Sequence, residues 1–433
     1  MKDSWEEFEV FYNEKKEPPK PVVQPEVKEQ KPVPQEITPS PSDSTKTINH
    51  QPERLKKTPK KEPQPRPAEP TENFGRAWLD FDFYGTNTRT FLPGNLPDIK
   101  QIDEENIRSY FIKASNLVAV TDLVRELKET QKRMRLNDWG YYKLVEQTSK
   151  MIASSANRQT LFSWVVLLKS GFNVKAGYTK NDIYLMLPAH EEIFSSYFLN
   201  VDGTPYYIQT DSGKNDPLPR IKVHRANYPE NSAFSLRIHE LPLVGNNPVK
   251  KKLYYNKDTL QFNSNKWLAD YYNDYPLCDM AVYFSAPLSN EVLKPLSTYF
   301  NKTFQGKTDR KKVALLLNFV QNAFAYKTDG DQFGREKYFF PDEVFYYPFS
   351  DCEDRSVLFA KLVNHFTHYN CIGLDFPGHV NTAIAFDEET DGTTIEFKGK
   401  KYTICDPTYG NAPVGYLDAR YEKFQPGIII FDN

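Results

Sequence analysis

Hydrophobic residues recur with the spacing of helices and strands only beyond about residue 74. Apolar side chains from Ile107 to Leu127 return every three or four positions, which predicts one long helix over residues 103–136 with Asp103 as its N-cap. Shorter helices are predicted over 139–153 and 158–170, and strands over 77–84, 173–178, 183–187 and 206–210. Residues 74–217 are therefore predicted to form an α+β domain.

The rest of the chain divides into a strand-rich middle region and a C-terminal domain. Short alternating runs separated by turn residues fill residues 218–288 and predict mostly antiparallel strands. Residues 289–433 open with helices predicted over 290–300 and 310–325. A helix that begins at Cys352, a strand that begins at His379 and a strand over 401–405 follow. The predicted fold class is α+β, with the Cys352 helix packed on an antiparallel sheet in the C-terminal core.

The first 73 residues have the composition of an unfolded segment. Of the 32 prolines, 14 fall within residues 2–70, and no aromatic residue lies between Tyr12 and Phe74. So few apolar side chains cannot repay the entropy of ordering the chain. We predict a disordered Pro-rich tether over residues 1–73, with a short helix over 4–16. A proline-recognising partner is the alternative to a solvated linker.

Charge and composition exclude several classes of function. The 55 basic and 57 acidic side chains give a net charge of −2, so no nucleic-acid partner is expected. No apolar run approaches the ~20 residues of a transmembrane helix, and the charged start of the chain lacks the apolar core of a signal peptide. A cytoplasmic protein and a processed form both stay open. The four cysteines lack metal-ligand spacing, so neither a metal site nor a cofactor is expected.

Three side chains in the C-terminal region have the order and placement of a catalytic triad. Cys352 begins a predicted helix, whose dipole favours a thiolate, while Glu353 beside it has the opposite effect. His379 begins a strand and is the predicted source of the compensating positive charge. Asp406 ends a later strand, because Pro407 cannot continue a central ladder. A thiol nucleophile, a histidine that moves the proton and a carboxylate that orients the histidine suit acyl transfer.

The sequence motifs around these residues are distinctive. SDCEDRS begins at Ser350, PGHV contains His379, and CDPTYG contains Asp406. Together they resemble the transglutaminase-like cysteine peptidase superfamily and, within it, the bacterial transglutaminase-like proteins, over about residues 310–415. The resemblance implies a papain-like α+β core, with Cys352 as nucleophile, His379 as base and acid, and Asp406 as orienting residue. It also implies a protein or peptide substrate.

Two positions depart from the pattern of that family. Ser350 stands where the family usually has glycine before Asp-Cys, and Asn381 stands where it often has tryptophan two residues after the histidine. That tryptophan belongs mainly to cross-linking members, so hydrolysis is slightly favoured over cross-linking. The motif does not fix the oxyanion donors. The backbone N–H of Cys352 is expected to be one, and the side chain of Gln332 is a further candidate.

The function expected from these residues is cysteine-dependent acyl transfer on peptide or carboxamide bonds. The alternative is a binding or scaffold protein, in which the tether displays a transglutaminase-like domain that has lost its activity. More loosely, the whole layout resembles large exported transglutaminase-like proteins of Bacteroidetes-type bacteria. That resemblance implies a location in the bacterial cell envelope or periplasm, with the cytoplasm as the alternative.

A weaker copy of the same motifs lies earlier in the chain. SANRQTLF from Ser155 matches CEDRSVLF from Cys352, and the spacing onward puts Asp182 and Asp211 at the positions of the histidine and the aspartate. Residues 139–211 are therefore predicted to be a degenerate transglutaminase-like repeat, with chance similarity between helix–hairpin units as the alternative. Because a serine and an aspartate cannot run the thiolate mechanism, a structural or substrate-presenting role is expected.

The tether makes a prediction of its own. Limited proteolysis of the folded protein should cut within residues 17–72 well before the remainder, because an unfolded segment enters a protease without prior unfolding. N-terminal sequencing should then find a stable fragment that begins near Phe74. Protection of residues 17–72 to the same degree as the C-terminal domain would contradict the predicted disorder.

Overall fold

The computed structural model describes residues 5–15, 77–210, 216–224 and 231–431. These residues combine helices with antiparallel sheets, so a mixed helix and sheet architecture is confirmed. Apart from its first residues, the predicted tether lies outside the described residues. No helix within these four stretches has the length and apolar character needed to cross a membrane.

Ten α-helices and eighteen strands are found in the described stretches. The helices are α1 Glu104–Ser115, α2 Val118–Met134, α3 Asp138–Ile152, α4 Ala156–Lys169, α5 Lys266–Asn273, α6 Met280–Ser285, α7 Asn290–Thr303, α8 Asp309–Ala323, α9 Asp329–Phe333 and α10 Cys352–Phe366. The strands are β1 Trp5–Phe8, β2 Phe11–Asn13, β3 Trp78–Phe83, β4 Thr86–Phe91, β5 Lys175–Tyr178, β6 Ile183–Pro188, β7 Ser196–Val201, β8 Thr204–Gln209, β9 Ile221–His224, β10 Pro248–Tyr255, β11 Asp258–Asn265, β12 Ala325–Tyr326, β13 Phe349–Ser350, β14 Asn370–Phe376, β15 His379–Ala385, β16 Thr394–Phe397, β17 Lys400–Cys405 and β18 Gly427–Ile429. A short 3-10 helix covers Pro341–Phe345.

The single long helix predicted over residues 103–136 is two helices. Asp103 caps α1 as expected, since its side chain accepts a hydrogen bond of 2.8 Å from the backbone N–H of Asn106. The chain leaves helical geometry at Leu117, whose backbone is extended, before α2 begins. Buried positions keep their helical spacing on both sides of this break, so the apolar periodicity alone did not reveal it.

Residues 5–13 form two strands, although the sequence predicted a short helix and disorder there. β1 pairs antiparallel with β9, and β2 pairs antiparallel with β7. Phe8 and Tyr12 pack on a small core of the first sheet, where the Tyr12 ring meets Tyr197 edge-on with centroids 4.8 Å apart. These aromatic contacts offset the ordering entropy locally, which the composition of residues 1–73 as a whole does not indicate.

The two short strands also determine the curvature of the first sheet. The strand order is β1-β9-β5-β6-β8-β7-β2, so β1 and β2 lie at opposite edges. Only two residues separate Phe8 at the end of β1 from Phe11 at the start of β2, and this length of extended chain reaches about 10 Å. The seven-stranded sheet therefore curls until its two edges approach each other.

Residues 218–288 contain helices as well as the predicted strands. β9 joins the first sheet beside β5, and β10 and β11 form a hairpin that packs on α7. The alternating run Met280–Ser285, which predicted a strand, is helix α6. Its last four residues are all buried, and a fully buried run gives no periodic signal that separates helix from strand.

Two sheets in the chain have the same topology. Five neighbouring strands of the first sheet run in the order β9-β5-β6-β8-β7, and the second sheet runs β18-β14-β15-β17-β16. All neighbouring pairs in both series are antiparallel. In each case the preceding helix packs on the first two strands, α4 on β5 and β6, and α10 on β14 and β15. The strand order and direction that a repeat requires are therefore present. We name residues 138–224 the N-terminal module and residues 309–429 the C-terminal module.

One continuous hydrophobic core connects the two modules. It includes buried residues from Phe81 to Phe431, on both sides of the predicted domain limits at 217/218 and 288/289. The described residues all belong to one compact unit. Both modules therefore rest on a common core, which fixes the start of α4 and the start of α10 within the same framework.

Candidate active site

The first turn of α10 holds Cys352 in place. Asp354 accepts hydrogen bonds from the backbone N–H of Asp351, at 3.2 Å, and from that of Phe339, at 2.9 Å. Ser350, just before this turn, is paired in β13. Cys352 is thereby fixed at the first helical position, where its backbone N–H has no partner within the helix.

A buried arginine connects α10 to the segments around it. Arg355 is 2% exposed, and its guanidinium donates to the Phe324 carbonyl at 2.7 Å. Longer hydrogen bonds of 3.3, 3.5 and 3.4 Å reach Ser350 Oγ, the Gln321 carbonyl and the Thr408 carbonyl. The guanidinium therefore joins the end of α8, the segment before α10 and the loop after β17.

His379 and Asp406 form a buried pair where β15 begins and β17 ends. His379 Nε2 lies 2.7 Å from Asp406 Oδ2, and the two side chains are 5% and 0% exposed. The other carboxylate oxygen of Asp406 accepts the backbone N–H of Thr408 at 2.9 Å, and Gln321 Nε2 donates to the Asp406 carbonyl at 2.8 Å. Because Asp406 occupies Nε2, the Nδ1 atom of His379 is the ring nitrogen that can exchange a proton with a reacting group.

Cys352 and His379 come together through the backbone of β15. Burial raises the pKa of the Cys352 thiol, and the backbone N–H of Val380, the residue after His379, lies near enough to oppose that rise. Ser356, one turn along α10, donates to the Val380 carbonyl at 2.9 Å. The thiol itself donates to Glu353 Oε2 at 2.7 Å. No hydrogen bond among the described residues joins the thiol to the imidazole. The thiol is directed toward Glu353, while the imidazole is hydrogen-bonded to Asp406.

The surroundings of Cys352 favour the neutral thiol. Burial of the sulfur raises the pKa of the thiol well above its ordinary value, and the carboxylates of Glu353 and Asp351 raise it further. The expectation that the dipole of α10 favours a thiolate is therefore wrong for this arrangement. Desolvation of the sulfur and the negative charge of Glu353 exceed the partial charge at a helix end.

Three buried carboxylates crowd the space beside Cys352. Oxygens of Asp329, Asp351 and Glu353 lie within 4.8 Å of one another. Burial, with the nearby charge of Glu353, raises the pKa of Asp329 to about 8, and the pKa of Asp351 is raised for the same two reasons. Asp351 Oδ1 is buried and has no hydrogen-bond partner among the described residues. Such oxygens are the donors that hard cations such as Ca²⁺ bind, and a positive charge there would lower the pKa of the thiol.

Aromatic side chains from the last part of the chain cover His379. The Tyr421 ring stacks on the imidazole, with centroids 5.1 Å apart and planes inclined by 17°. Tyr409 packs on it at a steeper angle of 57°, with centroids 5.6 Å apart. Arg420 hydrogen-bonds both Tyr409 and Asp418, which holds this segment in position. The cover accounts for the small exposure of the histidine.

Gln332, the candidate oxyanion donor, lies on α9 beside the segment that leads to Cys352. Its Nε2 donates to the Phe349 carbonyl at 3.4 Å, and its Oε1 is buried without a hydrogen-bond partner in the described stretches. Its role stays a prediction. Asn381 is fully buried on β15, and neither polar atom of its side chain has a hydrogen-bond partner in those stretches.

Sequence reasoning missed the acidic and aromatic surroundings of the triad. Asp329 lies in a five-residue helix, and Tyr421 lies in a segment without regular structure, so neither occurs in a periodic pattern. The position of Glu353 beside Cys352 was a signal of its influence on the thiol, but not of a direct hydrogen bond. Long-range packing, rather than local pattern, brings Asp329 and Tyr421 to the site.

The structure also places two of the three residues predicted for the earlier copy. Ser155 is the residue before α4, and its side chain makes no capping hydrogen bond. Asp182 is exposed and directly precedes β6. Asp211 lies outside the described residues. Ser155 and Asp182 therefore occupy a helix start and a strand start, as Cys352 and His379 do.

Comparison with known proteins adds no relative to this description. No family model, no curated protein and no solved structure matches the chain. The roles assigned to Cys352, His379 and Asp406 therefore depend on their own contacts and on the chemistry of those groups.

Glu353→Gln should shift the alkylation of Cys352 to lower pH. The Glu353 carboxylate raises the pKa of the thiol, so removing its charge increases the thiolate fraction at any pH below that pKa. We expect the iodoacetamide rate at Cys352, followed by peptide mass spectrometry, to reach its midpoint at a lower pH in the variant. The other three cysteines are buried, so their labelling should stay slow.

The exposed carboxylate Glu389 provides the matched control, because it is not among the groups that raise the pKa of the Cys352 thiol. Glu389→Gln should leave the alkylation profile of Cys352 unchanged. A Glu353→Gln profile that coincides with the profile of the unmodified protein would show that Glu353 does not control the thiol.

Asp329→Asn should weaken the pH dependence of stability between about pH 4 and pH 8. The folded-state pKa of Asp329 is about 8, above the ordinary 3.8, so in this window the folded state holds a proton that the unfolded state has released. The free energy of unfolding therefore falls as the pH rises. Asparagine can keep an oxygen for the Lys337 N–H, 2.7 Å from Asp329, and removes the titration.

Urea unfolding at about pH 5 and about pH 8 measures this effect. Asp331→Asn, at an exposed aspartate of the same short helix, is the control and should leave the difference between the two pH values intact. An Asp329→Asn protein with the pH dependence of the unmodified chain would contradict the prediction.

Proposed function

We propose that the C-terminal module carries out cysteine-dependent acyl transfer on peptide or carboxamide bonds. The observation that carries the proposal is the buried His379–Asp406 pair, at the start of the strand β15 on which the helix of Cys352 packs. A carboxylate on one ring nitrogen orients the imidazole and leaves the other nitrogen for a reacting proton. This is the arrangement that a thiol nucleophile needs.

The first step of the proposed mechanism starts from a neutral thiol. As Cys352 Sγ bonds to the substrate carbonyl carbon, the thiol proton passes to Nδ1 of His379 and the carbonyl oxygen takes up the negative charge. Asp406 stabilises the imidazolium through the hydrogen bond at Nε2. The backbone N–H of Cys352 donates to the oxyanion from the start of α10, and Gln332 is the proposed side-chain donor.

The second step releases the amine and leaves a thioester. The carbon–nitrogen bond breaks as His379 gives its proton to the leaving amine, so the acyl group stays on Cys352. Water or an amine then attacks the thioester, His379 accepts the proton of the attacking group, and the proton returns to the sulfur as it leaves. Water completes hydrolysis, and an amine completes cross-linking.

Hydrolysis is the outcome that we favour slightly, with a protein or peptide as substrate. The proposal draws on the resemblance to transglutaminase-like cysteine peptidases and on Asn381, which stands where cross-linking members often have tryptophan. It includes a papain-like core for the C-terminal module. The packing of α10 on β14 and β15, with Cys352 at the helix start, supports that arrangement.

A second candidate function is a binding protein without turnover. The thiol donates to Glu353 rather than facing the imidazole, and Tyr421 stacks on His379. Both contacts suit a site whose reactive groups are held apart. In this case the C-terminal module would still present the same surface to a peptide, but no thioester would form.

Substitution of the triad distinguishes the two functions. Purified protein is incubated with unfolded protein substrates, and three products are measured: ammonia, incorporated amine and new N-termini. Cys352→Ala should lower the activity by at least about 10³-fold. Asp406→Asn should lower it by about 10⁴-fold, because the imidazole loses its orienting carboxylate. Loss of the donor in Gln332→Ala should cost about 10²-fold.

Cys371→Ala is the matched control, since it removes a buried thiol from the same module without touching the triad. Thermal unfolding of each variant shows that the comparison is made on folded protein. The proposal fails if a folded Cys352→Ala protein turns over at the normal rate. It also fails if the unmodified protein neither turns over nor reacts with an electrophilic peptide probe, and the binding function then stands.

A further inference from the structure

A polar cleft in the N-terminal module lies where the C-terminal module carries its candidate triad. Its volume is about 540 Å³, and it is lined by the start of α4, the start of β6 and the end of β8, with α3 as a wall. In the C-terminal module, Cys352 begins α10, His379 begins β15 and Asp406 follows β17. Because the two modules share strand order and direction, the cleft is the topological counterpart of the candidate active site.

The two sites share a contact between the helix start and the strand. Asn157 Oδ1, in the first turn of α4, accepts the backbone N–H of Ile183 at the start of β6, at 2.9 Å. In the C-terminal module, Ser356, one turn along α10 from Cys352, donates to the Val380 carbonyl near the start of β15 at 2.9 Å. No cysteine or histidine is among the described residues that line the cleft. The cleft therefore keeps polar groups at the equivalent place without a thiol or an imidazole.

The α3 wall of the cleft carries an excess of positive charge. Lys143 Nζ and Lys150 Nζ lie 2.6 and 3.1 Å from the two oxygens of one carboxylate, Glu146. Burial opposes the ionisation of Glu146, but the two lysines outweigh it and lower the pKa of this carboxyl. One negative charge thus faces two positive charges. Lys150 is 58% exposed, so its ammonium has room for a further acceptor.

The other walls provide partners for a peptide main chain. The first backbone N–H groups of α4 receive no hydrogen bond from the Ser155 side chain and lie at the end of a helix that attracts anions. Gln159, Thr160 and Gln209 line the cleft with amide and hydroxyl groups. Asp182 also lines the cleft, is exposed, and accepts hydrogen bonds only. The volume lies within the ~300–1,000 Å³ of ordinary ligand sites.

We propose that this cleft binds an extended peptide segment that carries an acidic side chain, taken from the same chain on which the C-terminal module acts. Lys143, Lys150 and the start of α4 receive the carboxylate, and the amide side chains pair with the peptide main chain. The inference rests on the proposed function for the identity of the bound chain. The N-terminal module then presents the substrate, and the C-terminal module cleaves or transfers it.

Binding is measured on the full chain with Cys352→Ala, so that no turnover interferes. The probe is an acetylated and amidated decapeptide in which Glu alternates with Ser, and the matched probe has Gln in place of each Glu. Isothermal titration calorimetry should give at least about tenfold tighter binding of the Glu peptide. The double variant Lys143→Gln/Lys150→Gln should remove that difference between the two peptides.

Two pairs of variants distinguish binding in the cleft from a general effect of positive charge and from a general effect of a bulky surface residue. Lys100→Gln/Lys113→Gln changes two exposed lysines that do not line the cleft, and it should alter the affinity less than about twofold. Ala156→Trp places a large ring at the mouth of the cleft and should abolish binding. Val118→Trp makes the same kind of change at the start of α2, where the residue is 77% exposed, and should not.

The outcomes distinguish this inference from the proposed function. Equal binding of the two peptides, or binding that survives both Ala156→Trp and the double lysine variant, overturns the inference even when turnover is present. With Cys352 intact, Ala156→Trp should raise KM for acidic substrates and leave kcat unchanged, and an unchanged KM also overturns it. Cleft binding in a protein without turnover supports the peptide site and overturns the proposed acyl transfer.

Discussion

The candidate site depends on one buried guanidinium. Arg355 satisfies its donors with carbonyl and hydroxyl oxygens from three segments that are distant in sequence. A buried cation that loses its partners costs several kcal/mol, so these segments cannot separate without that loss. One of them leads directly to Cys352 and another leads away from Asp406, so the same constraint sets the placement of both side chains. The arginine at the matching position of the N-terminal module, Arg158, reaches outward toward Asp98 instead. Among the described residues, no arginine therefore joins the start of α4 to the neighbouring segments of the N-terminal module in the way that Arg355 joins those of the C-terminal module. A cleft lies at this place in the N-terminal module.

Stability and reactivity compete at the start of α10. Asp354 accepts two backbone N–H groups and so defines the first turn of the helix. Acidic side chains are favourable at a helix start, because they complement the helix dipole and the unpaired N–H groups. Crowded beside Cys352, however, Asp351 and Glu353 oppose the ionisation of the thiol, and burial raises the pKa of Asp354 as well. The charges that suit the beginning of the helix are therefore the charges that keep its first side chain neutral. In the proposed acyl transfer, this arrangement favours proton transfer to His379 during the attack over a preformed thiolate.

Local signals in the sequence were sufficient to place Cys352 and His379 at the starts of their elements and Asp406 after the end of its strand, but not to describe their surroundings. His379 opens a strand and Asp406 precedes a proline that ends one, so both were predictable at one end of the sheet, and their hydrogen bond follows from the strand pairing. The alignment of two short motifs was likewise enough to indicate a second unit with the same strand order. The break between α1 and α2 was not predictable, because buried positions keep their helical spacing on both sides of it. Helix α6 was not predictable either, because its last four residues are all buried. The hydrogen bond from the thiol to Glu353 and the cover by Tyr421 depend on side-chain packing between distant segments, which no spacing rule describes.

The pairing of β1 and β2 at opposite edges of the first sheet has a consequence for synthesis of the protein. During synthesis these residues are made well before their partners, since β2 pairs with β7 and β1 pairs with β9, which ends at His224. Contacts between such distant positions form late, since the intervening chain must be available and its loop-closure entropy must be offset first. The nascent chain therefore carries two unpaired strand edges until synthesis has passed His224. Unpaired edges are templates for other chains, so this interval is when the protein is most exposed to aggregation and has most to gain from a chaperone.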